Sequence, residues 1–360
     1  MAGEIGHRFV SPIALGFLLN LAVEASRLFI PLLTKDLGGT DFHVGLVGAA
    51  SGLAYFAAAF IFGRLSDYFG RLRFVRLGLA ASALAFLGQL LARDVVSLLL
   101  VRTLVGFALG ITTGALLVFA YENKSGVGKF SSSGAMGWIA GSLAAAFFKE
   151  YHLLFFLSFL AAAVAFLISL RLEEFKAVRV STTPHYLRVI WRNRAVYWPF
   201  FLRHLGASAV WTIFPLFLRD LGASKFWIGV VGTANYAGQA VLMVLAEHFA
   251  GPRLFRLGLF LSGSVFLLYT LLGHFYQVFP VQLLLSGAWS ALYIGALVLL
   301  LRSGEERGTA AGILVANINL CAALGPFLGG LLADWWGYRA PMFAAAILSF
   351  AGLIWAPRRA

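Results

Sequence analysis

The sequence contains few charged residues and many apolar ones. Charged residues make up 12% of the 360 residues, and hydrophobic residues make up 61%. Soluble domains contain roughly 25% charged residues. A water-soluble domain of this length could not cover its surface with so few charges. The composition therefore excludes an ordinary soluble protein and favours one that lies in a lipid bilayer.

Cysteine and clustered acidic residues are also scarce. The single cysteine, Cys321, lies in an apolar run, which excludes a disulfide framework and a thiolate metal site. No G-x-x-x-x-G-K-[ST] motif is present, so no nucleotide is expected. The acidic residues are dispersed, whereas a membrane-embedded transferase needs clustered carboxylates for a metal-bound diphosphate. We therefore expect no enzyme activity, no cofactor and no metal.

Twelve apolar segments are long enough to be read as membrane helices, which need about 20 residues each. The polar stretch 171–195 divides them into two groups of six. We predict an all-α membrane protein of 12 transmembrane helices, with an N-terminal six-helix bundle at 1–170, a linker at 171–195 and a C-terminal six-helix bundle at 196–360. The segments are 11–33, 44–63, 75–92, 95–121, 130–148, 152–170, 196–218, 226–246, 254–273, 277–301, 308–333 and 341–356.

The basic residues are unevenly divided between the two sides of these segments. The side of the N-terminus carries 19 Lys and Arg residues, and the opposite side carries 6. The positive-inside rule then predicts that both termini are cytoplasmic. The net charge of +13 indicates basic loops that face anionic lipid headgroups. We expect a multi-pass protein of the cell membrane, a monomer, with lipid and not nucleic acid as a partner.

The two halves resemble each other in sequence. Residues 31–48 and 215–232 align without gaps at an offset of 184, and nine of the 18 positions are identical. A second match aligns 67–79 with 247–259 at an offset of 180. Because both copies begin on the same side, the halves are predicted to be parallel repeats. This arrangement is typical of transporters whose substrate site lies near the midplane between the repeats.

The loop between segments 2 and 3 reads GRLSDYFGRLR over residues 63–73. It resembles the signature loop of the major facilitator superfamily, although Tyr68 stands where an arginine is usual. The resemblance implies the fold of that family and a conformational latch formed by Gly63, Asp67, Gly70, Arg71 and Arg73. Segment 4 carries a similar family pattern, Arg102-x-x-x-Gly106-x-x-x-Gly110. Segment 11 carries G-P-x-x-G-G, with expected helix-packing residues Gly325, Pro326, Gly329 and Gly330.

The resemblance also implies a function. Members of this family are permeases that transport small-molecule substrates by alternating access between two halves. We expect efflux of a small organic solute, coupled to protons. Antiporters of the family often carry G-P-x-x-G-G in segment 5, but residues 137–142 here read GWIAGS. Proton symport for uptake of a sugar or organic anion is therefore the alternative, and a channel or a membrane-embedded transferase is a remote one.

Ionisable residues deep in the apolar segments are candidates for proton coupling, because burying a charge in a membrane is costly. Glu24 is the only deep acidic residue, and the deep basic residues are Arg27, Arg102 and Arg203. At 1.5 Å per residue, Glu24 and Arg102 each lie about 12–13 Å from the outer end of their segments. A Glu24–Arg102 pair is therefore plausible. The alternative is that Glu24 pairs with Arg27 one turn along the helix. The proton-coupling residues are predicted to be Glu24, Arg102 and Arg27.

Three groups of residues are candidates for the substrate cavity. They are polar and aromatic residues at equivalent repeat positions, the deep Arg203, and the aromatic residues Trp138, Trp289 and Tyr293 of segments 5 and 10. For the aromatic residues among them, packing is an equal alternative, and Arg203 could instead extend to the membrane surface. Three deep arginines against one glutamate favour an anionic or polar substrate. The candidates are Asn20, Tyr55, Trp138, Arg203, His204, Ser208, Trp211, Asn235, Gln239, Trp289 and Tyr293.

Overall fold

The computed structural model describes the backbone of residues 2–122, 127–173, 186–248, 251–304 and 306–358, and their side chains from Pro12 onward except at 67, 121–122, 127–128, 131, 247 and 308. These residues form fourteen α-helices and no strand. The helices are α1 (Ala2–Arg27), α2 (Ile30–Asp36), α3 (Asp41–Phe69), α4 (Arg71–Gly88), α5 (Val95–Glu122), α6 (Val127–Phe148), α7 (Tyr151–Leu170), α8 (Tyr186–Arg192), α9 (Arg194–Asp220), α10 (Lys225–Glu247), α11 (Pro252–Tyr269), α12 (Val278–Arg302), α13 (Arg307–Trp336) and α14 (Arg339–Trp355).

Most of these helices are suited to a bilayer, where every backbone polar group must be paired within the protein. Within the described ranges, nine stretches are long and apolar enough to cross a membrane, and α14 is apolar but shorter. The predicted all-α membrane fold is confirmed. The number of crossings and the side of the termini stay predictions. The nine stretches are Pro12–Asp36, Asp41–Ser66, Arg71–Leu91, Val95–Ala120, Tyr151–Leu170, Arg194–Asp220, Lys225–Ala246, Phe275–Arg302 and Thr309–Trp336.

The Asp-Leu-Gly sequence ends a helix in each repeat. Gly38 follows α2 with φ of +83°, and Gly222 follows α9 with φ of +87°. Glycine adopts this left-handed conformation without the steric penalty of a side chain. The amide of Gly38 donates to the carbonyl of Lys35, and the amide of Gly222 donates to that of Arg219, both at 3.0 Å. The repeat at offset 184 therefore extends to the backbone geometry.

A proline before this turn has different effects in the two repeats. Pro31 lies at the start of the short helix α2, which is separated from α1. Its counterpart, Pro215, lies inside the continuous helix α9. Proline removes one backbone donor and crowds the preceding turn, so a break is expected but not obligatory. The single predicted segment 11–33 is therefore two helices in the structure.

The helices pack into two compact units. The first unit contains Met1–Gly39, Ala50–Val180 and Lys225–Thr233. In it, α1 packs on α6 and α7, and α4 packs on α5 and α7. Its core includes the fully buried side chains of Val75 and Phe86. The unit is thus a helical bundle with its own apolar core.

The second unit contains Thr40–Ala49, Ser181–Ser224 and Ala234–Ala360. In it, α9 packs on α13 and α14, and α11 packs on α12 and α14. Its core includes the fully buried side chains of Phe200 and Leu292. The helix pairs of the second unit therefore repeat those of the first.

The two units are not identical to the two halves of the sequence. Residues 40–49 of α3 belong to the second unit, and residues 225–233 of α10 belong to the first. The predicted division into 1–170, 171–195 and 196–360 stays a prediction. Residues 174–185, most of the predicted linker, lie outside the described part of the chain.

One arginine in each unit binds the carboxyl end of a neighbouring helix. Arg76, near the start of α4, donates to the carbonyls of Ser169 and Leu172 at 3.2 and 2.7 Å, where α7 ends. Arg256, at the equivalent place in α11, donates to the carbonyls of Leu353 and Ala356 at 3.2 and 3.1 Å. The last carbonyls of a helix have no partner within it and attract cations. Arg76 and Arg256 are equivalent in the second repeat match, at offset 180, and each joins two helices of its own unit.

Candidate functional site

Glu24 is the buried acid of the first unit. It is 1% exposed and lies in α1. Its Oε2 atom accepts a hydrogen bond from Nη2 of Arg27 at 2.5 Å, and the Arg27 side chain is 54% exposed. The sequence allowed a Glu24–Arg102 pair or a Glu24–Arg27 pair, and the structure shows the second. The acid thus has a charged partner on its own helix, as expected for a carboxylate held away from water.

Arg102 on α5 is buried at 7% exposure, with neutral partners. Its Nη1 atom donates to Oε1 of Gln89 at 3.0 Å and to Oγ of Ser26 at 3.4 Å. The structure therefore joins Arg102 to these two residues instead of to Glu24. The sequence did not single out Gln89 or Ser26, because an uncharged residue at a segment end carries no distinctive signal.

The glycines that follow Arg102 let α5 approach α3 closely. A Cβ atom at Gly106 would clash with the backbone oxygen of Ser51, and one at Gly110 would clash with that of Tyr55. The Tyr55 side chain itself packs against the apolar core of the first unit. The Arg102-x-x-x-Gly106-x-x-x-Gly110 pattern thus contains one buried cation and two glycines at which α5 packs closely on α3.

The other predicted residues of the first unit have mixed surroundings. The amide of Asn20 donates to the carbonyl of Gly16 at 2.8 Å, and a Cβ atom at Gly134 would lie 3.1 Å from this amide nitrogen. Asn20 therefore packs between α1 and α6. Trp138 on α6 is 38% exposed.

Arg203 is the buried cation of the second unit. It lies on α9, is 1% exposed, and donates from Nε to Oγ of Ser262 at 2.9 Å. Its guanidinium lies 5.5 Å from the ring centroid of Phe266 and 5.3 Å from that of Trp289. The suggestion that Arg203 extends to the membrane surface is wrong, because the side chain is enclosed by α11 and α12.

Aromatic rings surround this arginine. His204 lies 5.6 Å from Phe200 and 5.2 Å from Trp289, measured between ring centroids. Trp289 is stacked on Tyr293 at 5.5 Å. The structure therefore brings together four predicted residues, Arg203, His204, Trp289 and Tyr293, which we call the Arg203 cluster.

A polar network links α10 and α12 in the second unit. The amide nitrogen of Asn235 donates to Oε1 of Gln282 at 2.8 Å and to Oγ of Ser286 at 3.4 Å. Its amide oxygen accepts a hydrogen bond from Gln239 at 2.6 Å. The structure thus brings the two predicted residues Asn235 and Gln239 together and adds Gln282 and Ser286.

Ser208 and Trp211 have packing partners on neighbouring helices. Ser208 is 8% exposed, and a Cβ atom at Gly325 would clash with its side chain. The ring of Trp211 lies 5.3 Å from Phe214 and 6.3 Å from Phe266. Ser208 therefore belongs to a contact between α9 and α13.

The predicted latch surrounds the start of α4. Gly70 precedes this helix with φ of +98°, which favours glycine. Ser66 donates from Oγ to the carbonyl of Gly63 at 2.7 Å and accepts a hydrogen bond from Arg71 at 3.0 Å. Arg73 is exposed, and the side chain of Asp67 lies outside the described residues. Ser66, which the sequence did not single out, is therefore part of this turn.

The G-P-x-x-G-G residues of α13 contact two helices of the second unit. A Cβ atom at Gly329 would clash with the backbone of Ala209 on α9. At Gly330 it would lie 2.7 Å from the backbone nitrogen of Gly45, in the first turns of α3. Pro326 lies against Gly48 of the same helix start. Gly329, Gly330 and Pro326 of this motif therefore lie at close contacts between helices.

The first unit contains the equivalent contact at offset 184. Oγ of Ser142 donates to the carbonyl of Gly229 at 3.0 Å, and a Cβ atom at Gly229 would lie 2.7 Å from that of Ala146. Ser142 and Ala146 thus correspond to Pro326 and Gly330. In segment 5 the counterpart of G-P-x-x-G-G is therefore the stretch 141–146, which reads GSLAAA, and not 137–142.

The sequence profile of the Major Facilitator Superfamily matches residues 13–203 and 197–360. The chain belongs to this superfamily. It is therefore a multi-pass membrane transporter and not an enzyme. No curated protein shows a significant sequence match to the chain.

Several solved structures of this superfamily share its fold. The nucleoside transporter NupG superposes with a TM-score of 0.80 at 15% identity, covering 97% of this chain and 98% of NupG. A bacterial homologue of the human lysosomal transporter Spinster, in an inward-facing and unoccupied conformation, gives 0.80 at 13% identity, covering 98% and 96%. The human organic anion transporter MFSD10 gives 0.70 at 18% identity, covering 97% and 98%. At these identities the similarity shows the fold alone.

Proposed function

We propose that this superfamily member is a proton-coupled secondary transporter of a small organic solute, in which Glu24 carries the proton. A proton-carrying carboxylate must lie within a membrane helix and have a charge partner that responds to its protonation. Glu24 is 1% exposed and forms an ion pair with Arg27 in α1. This buried carboxylate, paired with a partly exposed arginine, is the observation that supports the proposal.

Protonation of Glu24 would remove the negative charge that holds Arg27. A neutral carboxyl group attracts a guanidinium much less strongly than a carboxylate does. Arg27 also lies within electrostatic reach of Arg102 on α5. Once the Glu24 carboxylate is neutral, it no longer offsets the repulsion between Arg27 on α1 and Arg102 on α5. Binding of a proton would in this way favour a movement of α1 relative to α5. The proposed cycle is alternating access of the two repeats, with efflux as its direction.

Glu24→Gln should abolish proton-driven accumulation and preserve substrate exchange, because glutamine has a similar size but does not titrate. The measurement is transport of labelled solute in proteoliposomes, with and without an imposed pH gradient. Glu150→Gln, at an exposed carboxylate before α7, is the matched control and should behave like the parent. Accumulation by Glu24→Gln at the parent's level would show that the coupling role is wrong.

The solute for this assay can be found by a thermal-shift screen of purified protein. Nucleosides and organic anions are tested first, because similar solved structures include a nucleoside transporter and an organic anion transporter. Counterflow of the labelled solute then distinguishes a carrier from a channel, since only a carrier shows accelerated exchange.

Proton symport for uptake is the second candidate. Antiporters of this superfamily often carry the intact G-P-x-x-G-G motif in segment 5. Here Ser142 and Ala146 stand where that motif has its proline and its last glycine, as judged from Pro326 and Gly330 of segment 11. This departure favours symport. Gradients of opposite sign separate the two directions. A symporter accumulates solute on the side to which protons flow, and an antiporter accumulates it on the other side.

A further inference from the structure

Arg203 is a buried cation with no acidic partner among the described residues of the second unit. The guanidinium has a single hydrogen bond there, to Ser262, and two aromatic neighbours. The acids of this unit whose side chains the structure describes lie at or near helix ends, namely Asp41, Asp220, Glu306 and Asp334.

Among the described residues of this unit, the contacts of Arg203 include no counter-ion. Taking an ion out of water is costly even after the protein relaxes. The two cation–π contacts and the hydrogen bond to Ser262 stabilise the guanidinium but bring no negative charge to it. The site therefore retains positive charge that a bound anion would neutralise.

Two further polar groups next to Arg203 have no hydrogen-bond partner among the described residues. They are Nδ1 of His204 and the hydroxyl of Tyr269, and both atoms are buried. His204 and the guanidinium of Arg203 both contact Trp289. Tyr269 lies about one helical turn beyond Phe266, the other aromatic neighbour of the guanidinium, on α11. A Tyr hydroxyl and a guanidinium can donate together to one acceptor, and a carboxylate accepts several such bonds. Arg203, Tyr269 and His204 thus retain hydrogen-bonding capacity that a carboxylate could use.

Arg102 in the first unit provides a contrast. Its guanidinium donates to two neutral acceptors, Gln89 and Ser26, so its polar contacts are supplied by the protein. Arg203 instead lies against the rings of Phe266 and Trp289, and aromatic side chains pack well against a planar apolar group. Trp289 and Tyr293 are half-buried, so one edge of the cluster is accessible.

We propose that Arg203, Tyr269 and His204 form a subsite for the carboxylate of the transported solute, which is a small organic anion with a planar apolar body. The assignment of the anion as a transported solute rests on the proposed function. Binding of the carboxylate itself does not require proton coupling by Glu24.

Sodium benzoate is a suitable probe, with neutral benzamide and sodium chloride as comparisons at equal concentration. The purified full-length protein in detergent is assayed by thermal shift and by tryptophan fluorescence titration. Benzoate should raise the melting temperature and change the fluorescence, whereas benzamide and chloride should not. Equal stabilisation by chloride would indicate a site for inorganic anions and would overturn the proposal, as would no response to benzoate.

Two variants assign the binding to this cluster. Arg203→Gln should raise the Kd for benzoate at least about tenfold, because charge-assisted hydrogen bonds are lost. Tyr269→Phe should also raise it, and this variant keeps the test decisive if Arg203→Gln does not fold. Arg302→Gln, at an exposed arginine of α12, is the matched control and should bind like the parent. The subsite would be excluded if Tyr269→Phe binds benzoate with the parent's Kd and Arg203→Gln either does the same or does not fold, so that its Kd cannot be measured.

The same assay separates this proposal from the proposed function. Glu24→Gln should bind benzoate like the parent, because Glu24 belongs to the other unit. Loss of proton-driven transport with intact benzoate binding would concern Glu24 alone. Intact transport with no benzoate binding would exclude the Arg203 subsite alone.

Discussion

Tyr338 lies outside the membrane-spanning stretches of the second unit and forms a hydrogen bond with Asp41, the first residue of one of them. The hydroxyl of Tyr338, between α13 and α14, donates to Oδ1 of Asp41 at 3.2 Å. Burial and the neighbouring carboxylate raise the pKa of Tyr338 to about 12. Deprotonation would place two negative charges together, so this contact needs the neutral phenol.

The pH dependence of stability should reveal this tyrosine. A Tyr whose pKa is higher in the folded than in the unfolded state binds its proton more strongly when folded. Its contribution is therefore complete below about pH 10, the ordinary value for Tyr, and is lost as the pH rises toward 12. Melting temperatures of the parent should fall more steeply over this window than those of Tyr338→Phe. Parallel curves would contradict the assignment.

At the scale of single residues, the sequence identified three buried charges and, as an alternative, the Glu24–Arg27 pair, but not the partners of the two buried arginines. Arg27, predicted with the deep charges, is 54% exposed. Glu24, Arg102 and Arg203 stand out because ionisable residues are rare in apolar segments. Their partners depend on side-chain direction and helix rotation, which periodicity alone does not define. Neutral partners such as Gln89 and Ser262 have no unusual surroundings in the sequence, so they could not be identified in advance.

At the scale of helices, the arginines that bind helix ends are expected to stabilise each unit. Arg76→Gln and Arg256→Gln should each lower the free energy of unfolding by about 1–2 kcal/mol, because hydrogen bonds from a charge to otherwise unpaired carbonyls are lost. Thermal melting in detergent measures this loss. Arg253→Gln, at an exposed residue of α11, is the control and should have little effect. A similar loss in the control would show that general charge, and not helix-end binding, is responsible.

Helix boundaries were predictable where the sequence marks them. The Asp-Leu-Gly turns are readable because glycine at the left-handed position is a local requirement. The break between α1 and α2 could not be predicted from Pro31, because the equivalent Pro215 lies inside the continuous helix α9. The outcome at a proline depends on whether neighbouring helices tolerate the displaced backbone, which is a tertiary property.

At the scale of the whole molecule, the close contact between α13 and α3 in the second unit limits side-chain size. In Gly330→Ala the new methyl group would clash with the backbone of α3 near Gly45. Overpacking of this kind costs about 1–3 kcal/mol, so the melting temperature should fall. Gly312→Ala on the same helix has open space at this position and is the control, with equal or greater stability expected. Equal melting temperatures for the two variants would contradict this packing argument.

The fold class, the parallel repeat and the family were predictable because each depends on patterns that extend along the whole chain. The offset of 184 recurs in helix-ending glycines and in paired contacts such as Gly330 on Gly45 and Ala146 on Gly229. The sequence comparison matched G-P-x-x-G-G of segment 11 to 137–142 of segment 5, four residues or about one helical turn before its structural counterpart at 141–146. Small residues recur in segment 5 with that spacing, so the sequence alone allows both matches. Only packing identified Ser142 as the counterpart of Pro326.

The assignment of residues 40–49 to the second unit and 225–233 to the first has a consequence for protein engineering. Neither unit is a continuous stretch of chain, so no single cut can produce two self-sufficient fragments. A gene divided within 174–185 would encode two polypeptides, each lacking about ten residues of the bundle that it mainly forms. Such fragments would need to be synthesised together and to exchange these helix starts, so either one made alone should be degraded.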